Sequence, residues 1–193
     1  MRSVCVFCGS KEGNDQQIIA QTLLLGQSLV QRDLTLVYGG ARIGLMGQLA
    51  AEVLSAKGKA IGVIPGFLKT KELVHQGLTE LVETENMHQR KLVMQQRSDA
   101  FMALPGGMGT MEELCEIITW LQLGLHNKPV GILNLNGFYD PLLQLMEQMV
   151  RRGFMSMTNY ELILVDSDVD RLLDKMSEFR APQRPKWLNE QRS

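Results

Sequence analysis

The chain has 193 residues, enough for one α/β domain around a single core and short for two. Its 20 basic and 21 acidic residues give a net charge of -1, which argues against a broad nucleic-acid track but leaves room for one phosphate pocket. No apolar run approaches the roughly 20 residues of a membrane span, and 3 cysteines cannot all pair within one chain, so a reducing, cytoplasmic setting away from membranes is expected.

In chain order, Ser3 to Phe7 reads as a first strand, since its short apolar run leads into Gly9-Ser10-Lys11 rather than a signal-peptide cleavage site. Cys5 and Cys8 are three residues apart in an extended segment and so face opposite ways, which makes them small buried hydrophobes rather than a metal or redox pair. Gln16 to Arg32 has helical spacing, with Ile19, Leu23, Leu24 and Leu29 or Val30 on one face. Leu34 to Tyr38 is a strand, and Leu45 to Lys57 a helix closed by Gly58 as its C-cap. After a strand at Ala60 to Ile64, the stretch Pro65 to Glu85 lacks periodicity and carries Gly66, Lys69, Lys71, Glu72, His75 and Gly77, a composition that suits an active-site loop or lid.

Met87, Arg90, Lys91 and Met94 recur at helical spacing, placing two cations between two methionines; the cations read either as a solvated surface pair or as part of a site. Ala100 to Leu104 is a strand, followed by a helix from Thr110 with Leu114, Ile117, Ile118 and Leu121 toward the core and Cys115 expected to be buried in it. Val130 to Leu133 and Leu162 to Val165 complete the strands, and the prolines after Arg180 predict an extended or poorly ordered tail over 181–193 behind a single domain, 1–180. This alternation predicts a Rossmann-like, doubly wound, mostly parallel sheet with helices on both faces, whose ligands bind at the carboxyl ends of the strands.

Three strands run into glycine loops: Cys8-Gly9-Ser10, Gly39-Gly40 through Gly44 to Gly47, and Pro105-Gly106-Gly107-Met108-Gly109-Thr110. Glycine lets backbone approach an anion, and a following helix offers free N–H groups and a favourable dipole. None has the spacing of a dinucleotide loop or a P-loop, so a monophosphate is the expected ligand. A phosphate at Thr110 would bring Glu113, one turn on, near its sugar, while Glu112 is rotated about 100° away; either carboxylate also fits simple helix-dipole compensation. His75, His88 and His126 lack zinc spacing, so no metal and no cofactor is expected.

The run from Pro105 to Glu113 resembles the P-G-G-x-G-T-x-x-E signature of the Lonely Guy family, cytokinin riboside 5′-monophosphate phosphoribohydrolases often mislabelled lysine decarboxylases. The likeness extends to Cys8-Gly9-Ser10, Tyr38-Gly39-Gly40, Gly44-Leu45-Met46-Gly47, Met87-His88-Gln89-Arg90-Lys91, Thr119-Trp120 and Leu123-Gly124. It implies a homodimeric Rossmann-like enzyme, without metal or redox cofactor, that cleaves AMP or its N6-prenylated analogues to free base and ribose 5-phosphate. By position it implies Arg90 and Glu113 as the catalytic pair. Lys91 and Glu72 then lie at the substrate, with Ser10, Gly39, Gly40, Met87 and Glu112 in the binding site. Gly106, Gly107, Gly109 and Thr110 form the phosphate cradle, and Thr119 is a further contact. Two rivals are a non-catalytic nucleotide or cofactor carrier on the same fold, and a pyridoxal-phosphate decarboxylase, for which no lysine with a pyridinium partner is evident.

Overall fold

The computed structural model describes residues 1–69 and 74–182. Seven strands, β1 (Ser3–Phe7), β2 (Thr35–Tyr38), β3 (Ala60–Pro65), β4 (Glu80–Thr84), β5 (Ala100–Ala103), β6 (Val130–Leu133) and β7 (Ile163–Asp166), form one sheet. Its helices are α1 (Gln16–Gln31), α2 (Gly44–Ser55), α3 (Met87–Gln96), α4 (Met108–Leu123), α5 (Asp140–Arg151), α6 (Met157–Tyr160) and α7 (Val169–Glu178). Strand order is β4-β3-β2-β1-β5-β6-β7 and every pairing is parallel, in keeping with the doubly wound expectation. The chain winds outward from β1 to β4, then returns to the other side of β1 as β5. The order therefore reverses between β1 and β5, whose register runs from Val4 opposite Ala100 to Phe7 opposite Ala103.

Strand pleating splits the apolar side chains between two cores. Val4, Val6 and Cys8 join Leu25, Leu29 and Leu49 on one face, while Cys5 and Phe7 join Leu114, Ile117, Ile118 and Leu121 on the other. Both early cysteines are buried on opposite sides, and the core stripe of α4 is the predicted one; each fully buried leucine or isoleucine contributes about 1.5–3 kcal/mol. Cys115 departs from expectation: it is exposed, because it lies on the outer strip of α4 rather than beside Leu114 and Ile118.

Two further expectations are corrected. The Pro65–Glu85 stretch is not loop throughout, since Glu80–Thr84 forms an edge strand on β3. Its charged, half-exposed residues hide a strand from composition, and edge strands commonly carry such charges to discourage pairing with other chains. At the end of α2 the left-handed residue is Lys57 (φ 63) rather than Gly58. The Lys57 amide donates to the Leu54 carbonyl (3.0 Å) and the Gly58 amide to the Val53 carbonyl (2.8 Å), the double bond of a Schellman ending. Gly58 is small for a different reason: a methyl there would run into Val30 and Val53.

Candidate active site

At the β1/β5 reversal, the loops after both strands meet. The Gly9 amide donates to the Pro105 carbonyl (3.1 Å), so this amide is spent on holding the loops together and is not free for an anion. The first loop also runs on to Gln16 before a helix starts, with Asp15 capping α1 through the amides of Gln17 and Ile18. Only the second and third glycine loops lead directly into helices.

The third loop is the one whose amides stay available to an anion. Gly107 is the N-cap of α4, so no side chain closes its first turn, and the amides of Met108, Gly109 and Thr110 make no recorded bond to a loop carbonyl or side chain among the described residues. Thr110, buried and in that turn, packs against Gly106, where a methyl would collide with the Thr110 hydroxyl. Ser10, Gly106 and Gly107 open onto a cleft of about 570 Å³. Its other walls include Leu45 of the second glycine motif and Asp15, Ile18, Leu135, Asn136 and Phe138, the last five not legible as site residues in sequence because they come from two segments far apart in the chain.

One turn beyond Thr110 on α4, Glu113 meets Arg90 of α3, with Arg90 Nη2 and Glu113 Oε1 3.6 Å apart and side chains only 9% and 11% exposed. Asn86 caps α3 by accepting from the Gln89 amide, and the helix then directs Arg90 inward. The guanidinium lies against the end of β2: a methyl on Gly39 would collide with Arg90 Nη2 and approach Met46 Sδ to 2.9 Å, so glycine is what admits the cation. Gly40 (φ 79) makes the turn that follows, its carbonyl accepting from the His75 amide. Arg90 Nη1 points at Met87 Sδ (3.8 Å), and its buried Nε has no hydrogen-bond partner among the described residues. The arginine is thus held by shape more than by hydrogen-bond acceptors, which leaves donor capacity for a ligand.

Burial pushes the Glu113 carboxyl up to about 7; Arg90 and Lys91 oppose that rise and Glu112 and Glu116 add to it. Glu112 is different: half exposed, it pairs with Lys91 at 2.5 Å, and Lys91 also bonds Glu116 at 2.9 Å. Burial lowers the pKa of the Lys91 ammonium, but these two carboxylates outweigh it and leave the pKa raised. A lysine so held is cationic, the wrong state for aldimine formation.

The predicted residues therefore fall into groups. Gly106, Gly107, Gly109 and Thr110 lie at the first turn of α4, with Ser10 across the cleft that Gly106 and Gly107 line, and Gly39, Met87, Arg90 and Glu113 form a second group. Lys91 and Glu112 pair with each other. Thr119 joins neither group, since its exposed hydroxyl donates back to the Cys115 carbonyl (2.7 Å). Glu72 lies outside the described residues. Sequence reasoning missed Glu116, whose place one turn after Glu112 was its only signal. Among the described residues no group of three or more His, Cys, Asp or Glu is placed to hold a metal ion, and no helix is long and apolar enough to cross a membrane.

A family model described as possible lysine decarboxylase matches residues 46–176. Two solved structures share the fold at low identity. A molybdenum cofactor binding protein from Rippkaea orientalis has a TM-score of 0.68 at 19% identity, covering 91% of this chain and 95% of that one. The molybdenum cofactor carrier protein of Chlamydomonas reinhardtii scores 0.67 at 17%, covering 92% and 96%. Much nearer in sequence are two cytokinin riboside 5′-monophosphate phosphoribohydrolases of Arabidopsis thaliana. One is 44% identical over 178 residues, 92% of this chain and 84% of that one. The other is 45% identical over 178 residues, 92% and 83%. The chain belongs to the cytokinin riboside 5′-monophosphate phosphoribohydrolase family.

Proposed function

We propose that this chain hydrolyses the N-glycosidic bond of AMP or an N6-modified, cytokinin-type nucleoside 5′-monophosphate, releasing free base and ribose 5-phosphate. The observation that carries the reading is the buried Arg90–Glu113 pair set one turn from the uncapped start of α4. A phosphate bound by the Thr110 hydroxyl and the free amides of the first turn directs the ribose toward Glu113. The C1′–N bond breaks with its electron pair leaving on the base, the sugar carbon becomes cationic, and water supplies the oxygen that C1′ gains. The Glu113 carboxylate stabilises that cation or takes the proton of the attacking water. Arg90 keeps its charge at any working pH and therefore orients Glu113 or holds sugar oxygens rather than donating a proton.

The cradle makes the phosphate a handle whose binding energy aligns the ribose. In a base-release assay AMP should turn over far faster than adenosine, and chromatography across N6-substituted monophosphates identifies the preferred base. Equal efficiency on AMP and adenosine sinks the handle, and tight AMP binding without any base release favours a carrier on this fold.

The working form is a homodimer in the cytoplasm. The outer strip of α4 carries Met108 (83% exposed) and Leu123 (57%) together with exposed Cys115 and Thr119, an apolar face suited to a second copy. Met146 does not contribute to such a face, because it is buried in the core. Light scattering should give about twice the 21.7 kDa chain mass, and a fully active monomer would refute the dimer.

A further inference from the structure

We propose that Glu116 is a positioning residue which, through Lys91, fixes the spacing of Arg90 and Glu113 and sets the proton affinity of the Glu113 carboxyl. The proposal rests on the reading of Glu113 as the reacting carboxylate.

The two helices that carry the pair pack mainly on strands rather than on each other. The main packing of α3 is against β3 and β4, while α4 lies over β1 and β5. Beyond the apolar cluster that Met94 shares with Leu114 and Ile117, their relation at the site depends on polar side chains that reach across. Besides the 3.6 Å approach of Arg90 to Glu113, the cross-links among the described residues are the two bonds from Lys91 Nζ, to Glu112 (2.5 Å) and to Glu116 (2.9 Å). These two are not equivalent. Glu112 is 53% exposed and its pairing is screened by water, whereas Lys91 is 11% and Glu116 28% exposed. Lys91 follows Arg90 directly on α3, so anchoring its ammonium to Glu116 limits rotation and sliding of the segment that presents the guanidinium.

Lys91, Glu113 and Glu116 line one small crevice floored by Phe7, Phe101, Ile117 and Trp120, where apolar walls strengthen each charge's effect on its neighbours. The charged groups acting on Glu113 are Arg90 and Lys91 from α3 and Glu112 and Glu116 from its own helix. Cys5 and Cys8 of the β1 segment also lie within its influence, but burial pushes both thiols up, and they stay neutral. Within this set Lys91 favours the ionised Glu113, and Glu116 both opposes that ionisation directly and tethers Lys91. Because Glu112 still holds the Lys91 ammonium nearby when Glu116 is lost, deleting Glu116 removes a repulsion and loosens the brace without removing the cation, so the two deletions move the Glu113 titration in opposite directions, which loss of a merely structural brace would not do.

The test follows the ¹³C carboxyl signal of Glu113 through pH in the full chain, alongside the pH profile of AMP base release. Lys91→Met should raise the Glu113 midpoint and Glu116→Gln should lower it, each by about half a pH unit or more. Turnover should fall roughly 10-fold in each with KM for AMP changed far less, since an interaction that aligns the reacting groups acts mainly on kcat. Lys91→Arg, which keeps the charge, should retain the native midpoint and serves if Lys91→Met does not fold. Shifts of the same sign, or an unmoved midpoint in folded Glu116→Gln protein, overturn the proposal. Opposite shifts in a protein that releases no base from any nucleotide leave the electrostatic link standing and reject the reaction instead.

Discussion

Glu113 and Asp166 are carboxylates of similar side-chain exposure, 11% and 8%, yet their environments drive them in opposite directions. Asp166, at the end of β7, accepts from Arg171 Nη2 (2.8 Å) and the Asp168 amide (2.9 Å) and pairs with Lys175 Nζ at 2.8 Å. Hydrogen bonds from Arg171, above all, and Lys175 overcome its burial and hold it well below the usual carboxylate range. Among the described residues Glu113 makes one ion pair, with Arg90 at 3.6 Å and beyond hydrogen-bonding distance, and with Lys91 acting only through space desolvation wins and the carboxyl rises to about 7. Similar side-chain exposure thus gives a depressed carboxylate near the surface of the fold, where donors are many and close, and a raised carboxyl set deeper in it, where they are few and distant. The raised carboxyl has a thermodynamic cost. Between 4.5, the ordinary value, and about 7, the unfolded chain ionises Glu113 while the fold keeps it protonated. Stability is therefore lost as pH rises through that window, by on the order of 3 kcal/mol. Asp166 has the reverse sign: its contribution is present above 3.8, the ordinary value, and is lost as pH falls below it.

The sharpest way to break this comparison is to neutralise both carboxylates without changing their size. Glu113→Gln should cut turnover by roughly 100-fold or more, the effect of losing an electrostatic or acid-base group, while melting at pH 8 moves upward. Asp166→Asn should leave turnover within about 3-fold and cost about 2 kcal/mol at pH 7, the scale of charge-assisted hydrogen bonds lost. If the two variants fail alike in either assay, the distinction between reactive and structural carboxylates is wrong. Next in size, Arg90→Ala should also lower turnover by roughly 100-fold and raise the Glu113 midpoint further, and Arg90→Lys should recover little because an ammonium lacks the planar fork. A smaller loss, about 10-fold, is expected from Gly39→Ala, whose methyl displaces the guanidinium without touching Glu113. Normal kinetics in that variant would show that Arg90 needs no fixed seat. The mildest effect needs no mutation: turnover should rise about 3-fold from pH 6.5 to 7.5 as Glu113 ionises, while melting temperature, measured from pH 5 to 7, declines. A rate that instead falls over the upper range would make Glu113 the proton donor.

The sequence by itself determined the alternation of strand and helix, the opposed burial of Cys5 and Cys8, the core stripe of α4, and the glycine loop at its start, because each is a local consequence of period or backbone freedom. Its motifs also singled out Arg90 and Glu113, which folding brings within 3.6 Å of each other. It could not show β4, whose exposed edge lacks the apolar alternation of a half-buried strand, nor that Lys57 rather than Gly58 takes the left-handed turn. Helix period already set Glu112 and Glu113 on different strips, but only the tertiary structure gave them different partners, Lys91 for one and Arg90 for the other. It spent the Gly9 amide on Pro105, gave Gly39 its role as the seat of Arg90, and brought Glu116 into the site through Lys91. Each of these depends on distances between segments far apart in the chain, and a carboxylate's proton affinity is fixed by those distances rather than by the residues beside it in sequence.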